Sequence, residues 1–181
     1  SAGAAQAKEY APLAAAAGAV VVDKSRAFRM DPKVPLVVPE INAHALREHQ
    51  GIISCPNCTT IITVMPLKPL HDEGRLRRVV ATSYQAVSGA GIKGIEELRL
   101  QTQAWARGER VESNDFQHQI AFNLIPHIGG FGPDGYTSEE RKLIDEIRKI
   151  LELPTLAISP TTVRVPVFTA HSVAINAETE L

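Results

Sequence analysis

Two cysteines stand close together in the run Cys55-Pro56-Asn57-Cys58. Ile52-Ile53-Ser54 before them reads as a short strand and Thr59 to Leu70 after them as a helix, so Cys58 falls at a helix N-terminus with Asn57 as its cap. Unpaired backbone N–H groups and the positive end of the helix dipole gather there. They stabilise a thiolate, lowering a thiol from its free value of about 8.5 and making it a nucleophile. The competing reading is a small buried hydrophobe, the usual state of an unbridged cysteine. The pair fits two further chemistries. A thioredoxin-like Cys-x-x-Cys occupies the same kind of strand-to-helix turn and implies a reversible Cys55–Cys58 disulfide. A zinc site would draw on His44, His49, His71, His118, His127 or His171, but neither a second Cys-x-x-Cys nor a His-x-x-x-His follows at finger spacing.

Other polar positions could work with such a thiol. Gly89-Ala90-Gly91-Ile92-Lys93-Gly94 matches G-x-G-x-x-G, follows a strand and opens a helix, so its backbone N–H groups can approach a phosphate or a cofactor ring. Beyond that helix the chain turns polar, through Gly108-Glu109-Arg110-Val111-Glu112-Ser113-Asn114, where a dinucleotide fingerprint would lead into an apolar strand ending in an acid. Glycines that permit a tight turn and close packing explain the run equally well. In Val163-Arg164-Val165 the arginine points opposite to its apolar neighbours, and His171 follows the strand. Together they can bind a carboxylate and move a proton; an exposed edge arginine and a surface histidine are the alternative. Arg29, between Phe28 and Met30, is a similar lone charge. Glu139 and Lys142 share one face of a helix's first turn, a spacing that also makes an ordinary surface pair.

The elements that must position these residues can be read along the chain. Residues 5–17 have the alanine content of a helix closed by Gly18, and Ala19 to Asp23 reads as a short buried strand, half of a βαβ unit. Asp31 to Glu40 is extended and punctuated by proline, and Asn42 caps a short helix to His49. The helix from Thr59 to Leu70 is interrupted at Pro66 and Pro69. Arg77 to Val87 alternates as a strand, and Gly94 to Arg107 is a helix with Ile95, Leu98, Thr102 and Trp105 near one face. Residues 114–135 form a loop with an apolar patch at Ile120 to Ile125. Ser138 to Leu151 is the sharpest helix. Its stripe is Leu143, Ile144, Ile147, Ile150 and Leu151, and its start is Ser138, or Thr137 with Glu140 as a capping box. Thr161 to Thr169 and Ser172 to Ala177 read as strands, with Pro154, Pro160 and Pro166 suggesting edges or bulges. Helices and strands are mixed throughout, an α/β fold.

Composition narrows the function classes. The chain has 181 residues, 44% hydrophobic and 22% charged, with a formal net charge of -1, which argues against a nucleic-acid or anionic-membrane partner. Gly and Pro at 12 each exclude collagenous and disordered classes. No apolar run reaches the roughly 18 residues that span a bilayer. The Ala-rich stretch from Ala11 to Val22 lacks the basic leader of a signal peptide. Two cysteines make no disulfide scaffold, and a reducing compartment follows as the simpler reading.

Taken in order, several segments resemble the aspartate-β-semialdehyde dehydrogenase family over essentially the whole chain. They are Ser1-Ala2-Gly3, Ala16 to Asp23, Phe28-Arg29-Met30-Asp31, Val37 to Asn42, Asn57-Cys58-Thr59-Thr60, Ser83 to Gly91, Pro126-His127-Ile128, Val163-Arg164-Val165-Pro166 and Ala170-His171-Ser172. The resemblance implies that Cys58 is the nucleophile, His171 the acid/base residue and Gln85 a group aligning the substrate. Arg164 would bind the substrate carboxylate and Glu139 its amino group; Arg29, Asn57 and Lys142 would form a phosphate site. Ser88 and Gly89 would lie against the nicotinamide half of NADP, and Ser1, Ala2 and Gly3 would also belong to the cofactor site. No metal is implied. The reaction would be the reversible reduction of aspartyl phosphate to aspartate semialdehyde through a cysteine thioester, in lysine, methionine and threonine biosynthesis, by a cytoplasmic homodimer.

The family opens with a Gly-rich βαβ unit ahead of the counterpart of Ser1 and closes with a helix that this chain lacks. The resemblance therefore makes the chain an internal fragment. Residues 1–57 would be the trailing half of a Rossmann-like NADP-binding domain. Residues 58–181 would be an α+β catalytic and dimerisation domain with a mixed sheet, incomplete at its C-terminus. On that reading the 181 residues alone bind NADP weakly, and a low-micromolar Kd would contradict it. An N-acylglutamyl-phosphate reductase, with the same Cys and His logic, and a non-catalytic dimerisation piece are the alternatives.

Overall fold

The computed structural model describes residues 3–181. Helix α1 (Ala4–Ala16) leads through Gly18, at φ +88°, into strand β1 (Val21–Asp23). Helix α2 (Pro39–Asn42) and a 3-10 turn (Ala43–Glu48) precede strand β2 (Ile52–Ser54), and helix α3 (Cys58–Gly74) follows it. Strand β3 (Leu76–Gln85), a 3-10 turn (Val87–Ala90), helices α4 (Ile92–Ala106) and α5 (Ser138–Leu151), and strands β4 (Ala157–Arg164) and β5 (His171–Thr179) complete the order. The described residues form an α/β fold with two sheets: β1-β2, and a three-stranded sheet in the order β4-β3-β5. The prolines suggest edges or bulges; β4 and β5 are the outer strands of that sheet, and Pro160 lies within β4 rather than beside it. The chain divides into two compact units, one of residues 1–80, 142–159 and 176–181, the other of 81–141 and 160–175.

In the first unit β1 and β2 pair in parallel, Val21 opposite Ile52 and Asp23 opposite Ser54. The extended segment at Leu36 lies beside β2, with Ser54 N–H donating to Pro35 O at 2.9 Å and Val37 N–H to Ser54 O at 3.1 Å. β1 is not the buried strand expected: Val20 and Val22 are 59% and 64% exposed. Side chains alternate across a strand, and α1 packs against this small sheet. The expected helix from Asn42 is also different. Asn42 does not cap; its Oδ1 accepts from Val38 N–H and its Nδ2 donates to Leu36 O, tying the preceding loop to a helix that begins at Pro39. α3 runs unbroken through Pro66 and Pro69. Both prolines are exposed, so the carbonyls they leave without a helical donor can turn to water. The stripe of α5 is buried as expected, Leu143 and Ile147 completely.

In the second unit a cluster of Val87, Leu98, Ile120, Ala121 and Ile125 forms the core, with Ile95 and Phe116 packed on it. Of the expected apolar face of α4, Leu98 is buried and Ile95 and Thr102 are half-buried, while the helix also buries Gly94, Glu97 and Gln101; Trp105 is 59% exposed and meets Phe122, ring centroids 4.6 Å apart. The reason is hydrogen bonding. Gln101 Oε1 accepts from the Ile120 and Ala121 N–H groups at 2.9 and 3.0 Å, and the Glu97 carboxylate accepts from Asn114 and Asp115 N–H. These two polar side chains replace the water that loop 112–121 would otherwise need. The Thr137–Glu140 capping box forms, with Thr137 N–H donating to Glu140 Oε2 at 2.7 Å and Glu140 N–H to Thr137 Oγ1 at 3.3 Å.

Candidate active site

Cys58 opens α3 and is exposed; Cys55 is half-buried, and both are thiols rather than halves of a disulfide. Asn57 is the N-cap, its Oδ1 accepting from Thr59 N–H at 2.9 Å and Thr60 N–H at 3.4 Å. The thiol therefore sits on the first turn of a seventeen-residue helix, where the dipole is felt most strongly.

Arg29, expected as a lone charge, is 8% exposed and makes three hydrogen bonds within the first unit. Its Nε donates to Cys55 O at 3.0 Å, its Nη2 to Lys24 O at 3.2 Å and its Nη1 to Glu146 Oε1 at 3.0 Å. Glu146, 1% exposed, spends its other oxygen on the Asn57 N–H at 2.7 Å. Lys149 Nζ donates to the carbonyls of Arg29, Asp31 and Val34 at 2.7, 2.7 and 2.9 Å, closing the loop behind Arg29. Lys142 is half-buried on α5, one turn before Glu146.

Sequence reasoning passed over Glu146 and Lys149. A signal existed: Glu139, Lys142, Glu146 and Lys149 recur at helical spacing beside the apolar stripe of α5. We predict that Lys149→Met lowers stability by about 1–2 kcal/mol in a denaturant melt, by leaving carbonyls of the Arg29 loop unpaired. Burial also pushes the Lys149 ammonium below its ordinary range, with Asp31 opposing. Between that lowered value and the unfolded one the unfolded chain binds more protons, so this group makes stability rise with pH there. The substitution removes that rise.

The second unit gathers the remaining candidates around one residue. Ala86 is completely buried; its N–H donates to His171 Nδ1 at 3.0 Å and its carbonyl accepts from Arg164 Nη1 at 2.7 Å. Because a backbone N–H can only donate, Nδ1 is the acceptor and the neutral ring carries its proton on Nε2. Arg164 is 7% exposed, and its neighbours Val163 and Val165 are buried too, so it is no surface edge arginine. Gln85, 2% exposed, donates from Nε2 to Ser83 Oγ at 3.2 Å and to Glu139 Oε1 at 3.5 Å. Glu139 is buried in the first turn of α5.

The glycines of the G-x-G-x-x-G run divide their work. Gly91, at φ +83°, makes the turn into α4, and a Cβ on Gly94 would lie 2.7 Å from Val87 O, so it serves close packing. Gly89 faces the candidate site: a Cβ there would lie 2.8 Å from Arg164 Nη1 and 3.5 Å from the His171 ring. Ser88 N–H donates to Phe168 O at 3.1 Å. Ser1 and Ala2 lie outside the described residues; Gly3, at φ +102°, accepts at its carbonyl from Ala7 N–H at the start of α1.

Two family models cover most of this α/β chain, one for the NAD-binding domain of semialdehyde dehydrogenases over residues 1–49 and one for their dimerisation domain over residues 67–181. The chain belongs to the semialdehyde dehydrogenase family. It is 51% identical to an aspartate-semialdehyde dehydrogenase of Aquifex aeolicus, over 99% of this chain and 54% of that protein. Its backbone matches aspartate semialdehyde dehydrogenase II of Vibrio cholerae complexed with ASA at a TM-score of 0.97 and 46% identity, covering all of this chain and 55% of that one. An aspartate semialdehyde dehydrogenase of Candida albicans with NADP matches at a TM-score of 0.68 and 25% identity, over 97% and 48% of the two chains. The chain thus spans about half the length of the relatives it matches. No helix among the described residues is long and apolar enough to cross a membrane.

Proposed function

We propose that this chain carries the catalytic residues of an NADP-dependent aspartate-semialdehyde dehydrogenase, which interconverts aspartyl phosphate and aspartate semialdehyde and works as a homodimer in amino-acid biosynthesis. Residues 1–57 are then nucleotide-binding and residues 58–181 catalytic and dimerising, a division supported by the two family models on either side of it. The observation that carries the reading is Ala86, whose two backbone groups hold an acid/base candidate and a buried guanidinium. The relatives' names and the ASA complex of the Vibrio cholerae structure support the substrate.

In the oxidative direction the Cys58 thiolate attacks the aldehyde carbon, forming the C–S bond and placing the electron pair on oxygen. The Nε2–H of His171 is the donor suited to that developing charge. For His171 to take up a second proton, Nδ1 must release the Ala86 N–H, so the ring shifts when it acts as a base. Arg164 pairs with the substrate carboxylate and Glu139 with its ammonium, while Gln85, hydrogen-bonded to Glu139, aligns the carbonyl. Gly89, where a Cβ would press on Arg164 and His171, and Ser88 beside it would lie against the nicotinamide half of NADP. NADP, when bound, supplies the acceptor for the hydride that converts the thiohemiacetal to a thioester. Phosphate, held by Arg29, Lys142 and the Asn57 side-chain amide, then attacks the thioester carbon. The C–S bond breaks and the pair returns to Cys58 as thiolate. Cysteine suits both steps, being strongly nucleophilic near neutral pH and a competent leaving group.

The test is phosphate-dependent NADPH formation by the whole protein containing this chain. Aspartate semialdehyde is expected to be turned over at least roughly a hundredfold better in kcat/KM than N-acylglutamate semialdehyde, because acylation removes the ammonium that buried Glu139 would pair with and the chain is one methylene longer. The reverse preference would replace this assignment with the glutamyl one.

A further inference from the structure

Glu146 takes no part in the steps above, yet it is among the most completely buried carboxylates of the chain, 1% exposed. Its two oxygens go to different partners. Oε1 receives Arg29 Nη1 at 3.0 Å and Oε2 receives the Asn57 N–H at 2.7 Å. Arg29 in turn donates to the Cys55 carbonyl at 3.0 Å. The stretch Cys55-Pro56-Asn57 ahead of Cys58 is therefore held at both ends by one ion pair, Cys55 through the arginine and Asn57 through the carboxylate.

We propose that Glu146 is a positioning residue that fixes the phosphate-binding guanidinium relative to the first turn of the nucleophile helix. The inference rests on the function proposed above. Three features support it. The ion pair is buried on both sides, side chains 10% and 2% exposed, where an arginine without a carboxylate would be destabilising. Only a carboxylate offers acceptors to both partners, since an amide has one oxygen and would turn its NH2 toward either an arginine or an N–H. Lys149, one turn further along α5, clamps the carbonyl of Arg29 itself, so a single helix fixes both ends of the arginine residue. A phosphate arriving at Arg29 thus meets a guanidinium already oriented, and its position is transmitted to the peptide immediately before Cys58.

The isosteric Glu146→Gln keeps the size and loses one acceptor. In the whole enzyme we expect the KM for phosphate to rise at least fivefold, with the KM for the aldehyde unchanged within twofold. A purely structural role would lower the active fraction, and so kcat, while leaving both KM values alone. A phosphate KM equal to wild type, whatever the change in kcat, overturns the proposal. If Glu146→Gln does not accumulate as folded protein, Glu146→Asp carries the same comparison: it keeps the charge but cannot reach both partners. It is expected to raise the phosphate KM two- to fivefold, and no rise would again overturn the proposal. Failure of the functional reading looks different, because wild type itself would then show no phosphate-dependent turnover of aspartate semialdehyde.

Discussion

Replacing Cys58 with alanine in the whole enzyme is expected to lower kcat by at least ~10⁴-fold, about 5 kcal/mol of transition-state stabilisation. The size follows from the proposed role. Without sulfur there is no covalent adduct from which hydride can leave and no thioester for phosphate to cleave, so the remaining groups have nothing to act on. The loss should be confined to chemistry. Cys58 is exposed at the start of α3 and the cap is made by Asn57, so the unfolding free energy should stay within about 0.5 kcal/mol of wild type. Cys58→Ser should resemble alanine, since a hydroxyl at that helix end is not ionised. A kcat within tenfold of wild type for either variant would remove Cys58 from the mechanism.

The second large effect is at Arg164. Arg164→Met is expected to lower kcat/KM for aspartate semialdehyde roughly a thousandfold, about 4 kcal/mol, the worth of two charge-assisted hydrogen bonds to a carboxylate. The loss should appear mostly in KM, and a short aldehyde without a carboxylate should be turned over by wild type and variant alike. Arg164→Lys keeps the charge but gives up the fork that serves Ala86 O and a carboxylate together, so an intermediate loss is expected. Equal losses on both aldehydes would mean that Arg164 acts through the backbone at Ala86 rather than on the substrate.

What the sequence made legible was largely local. Asn57 as the cap before Cys58, the Thr137–Glu140 box and the stripe of α5 depend on residues within a turn or two, and each stands where the spacing placed it. Features set by distant chain were harder. Nothing in Val163-Arg164-Val165 says that the arginine is as buried as its neighbours, because its partner, the Ala86 carbonyl, lies 78 positions away. Gln101 and Glu97, outside the apolar face read for α4, are buried because loop N–H groups need them. Trp105, the heaviest apolar residue of that helix, stays outside. Pro66 and Pro69 read as helix breakers, which they are only where the freed carbonyls lack water. Glu146 was hidden for the same reason as Arg164: its partner Arg29 is 117 positions away.

The proposed mechanism requires α3 to activate the thiol at its first position. That is tested by competitive alkylation with iodoacetamide at neutral pH, comparing each cysteine in the native protein with the same cysteine in denaturant. Exposure alone can make a native thiol at most as fast as its unfolded counterpart, whereas stabilisation of the thiolate can make it faster. Cys58 should label several-fold faster native than unfolded, and half-buried Cys55 slower. Native labelling of Cys58 no faster than in the unfolded chain would contradict the mechanism.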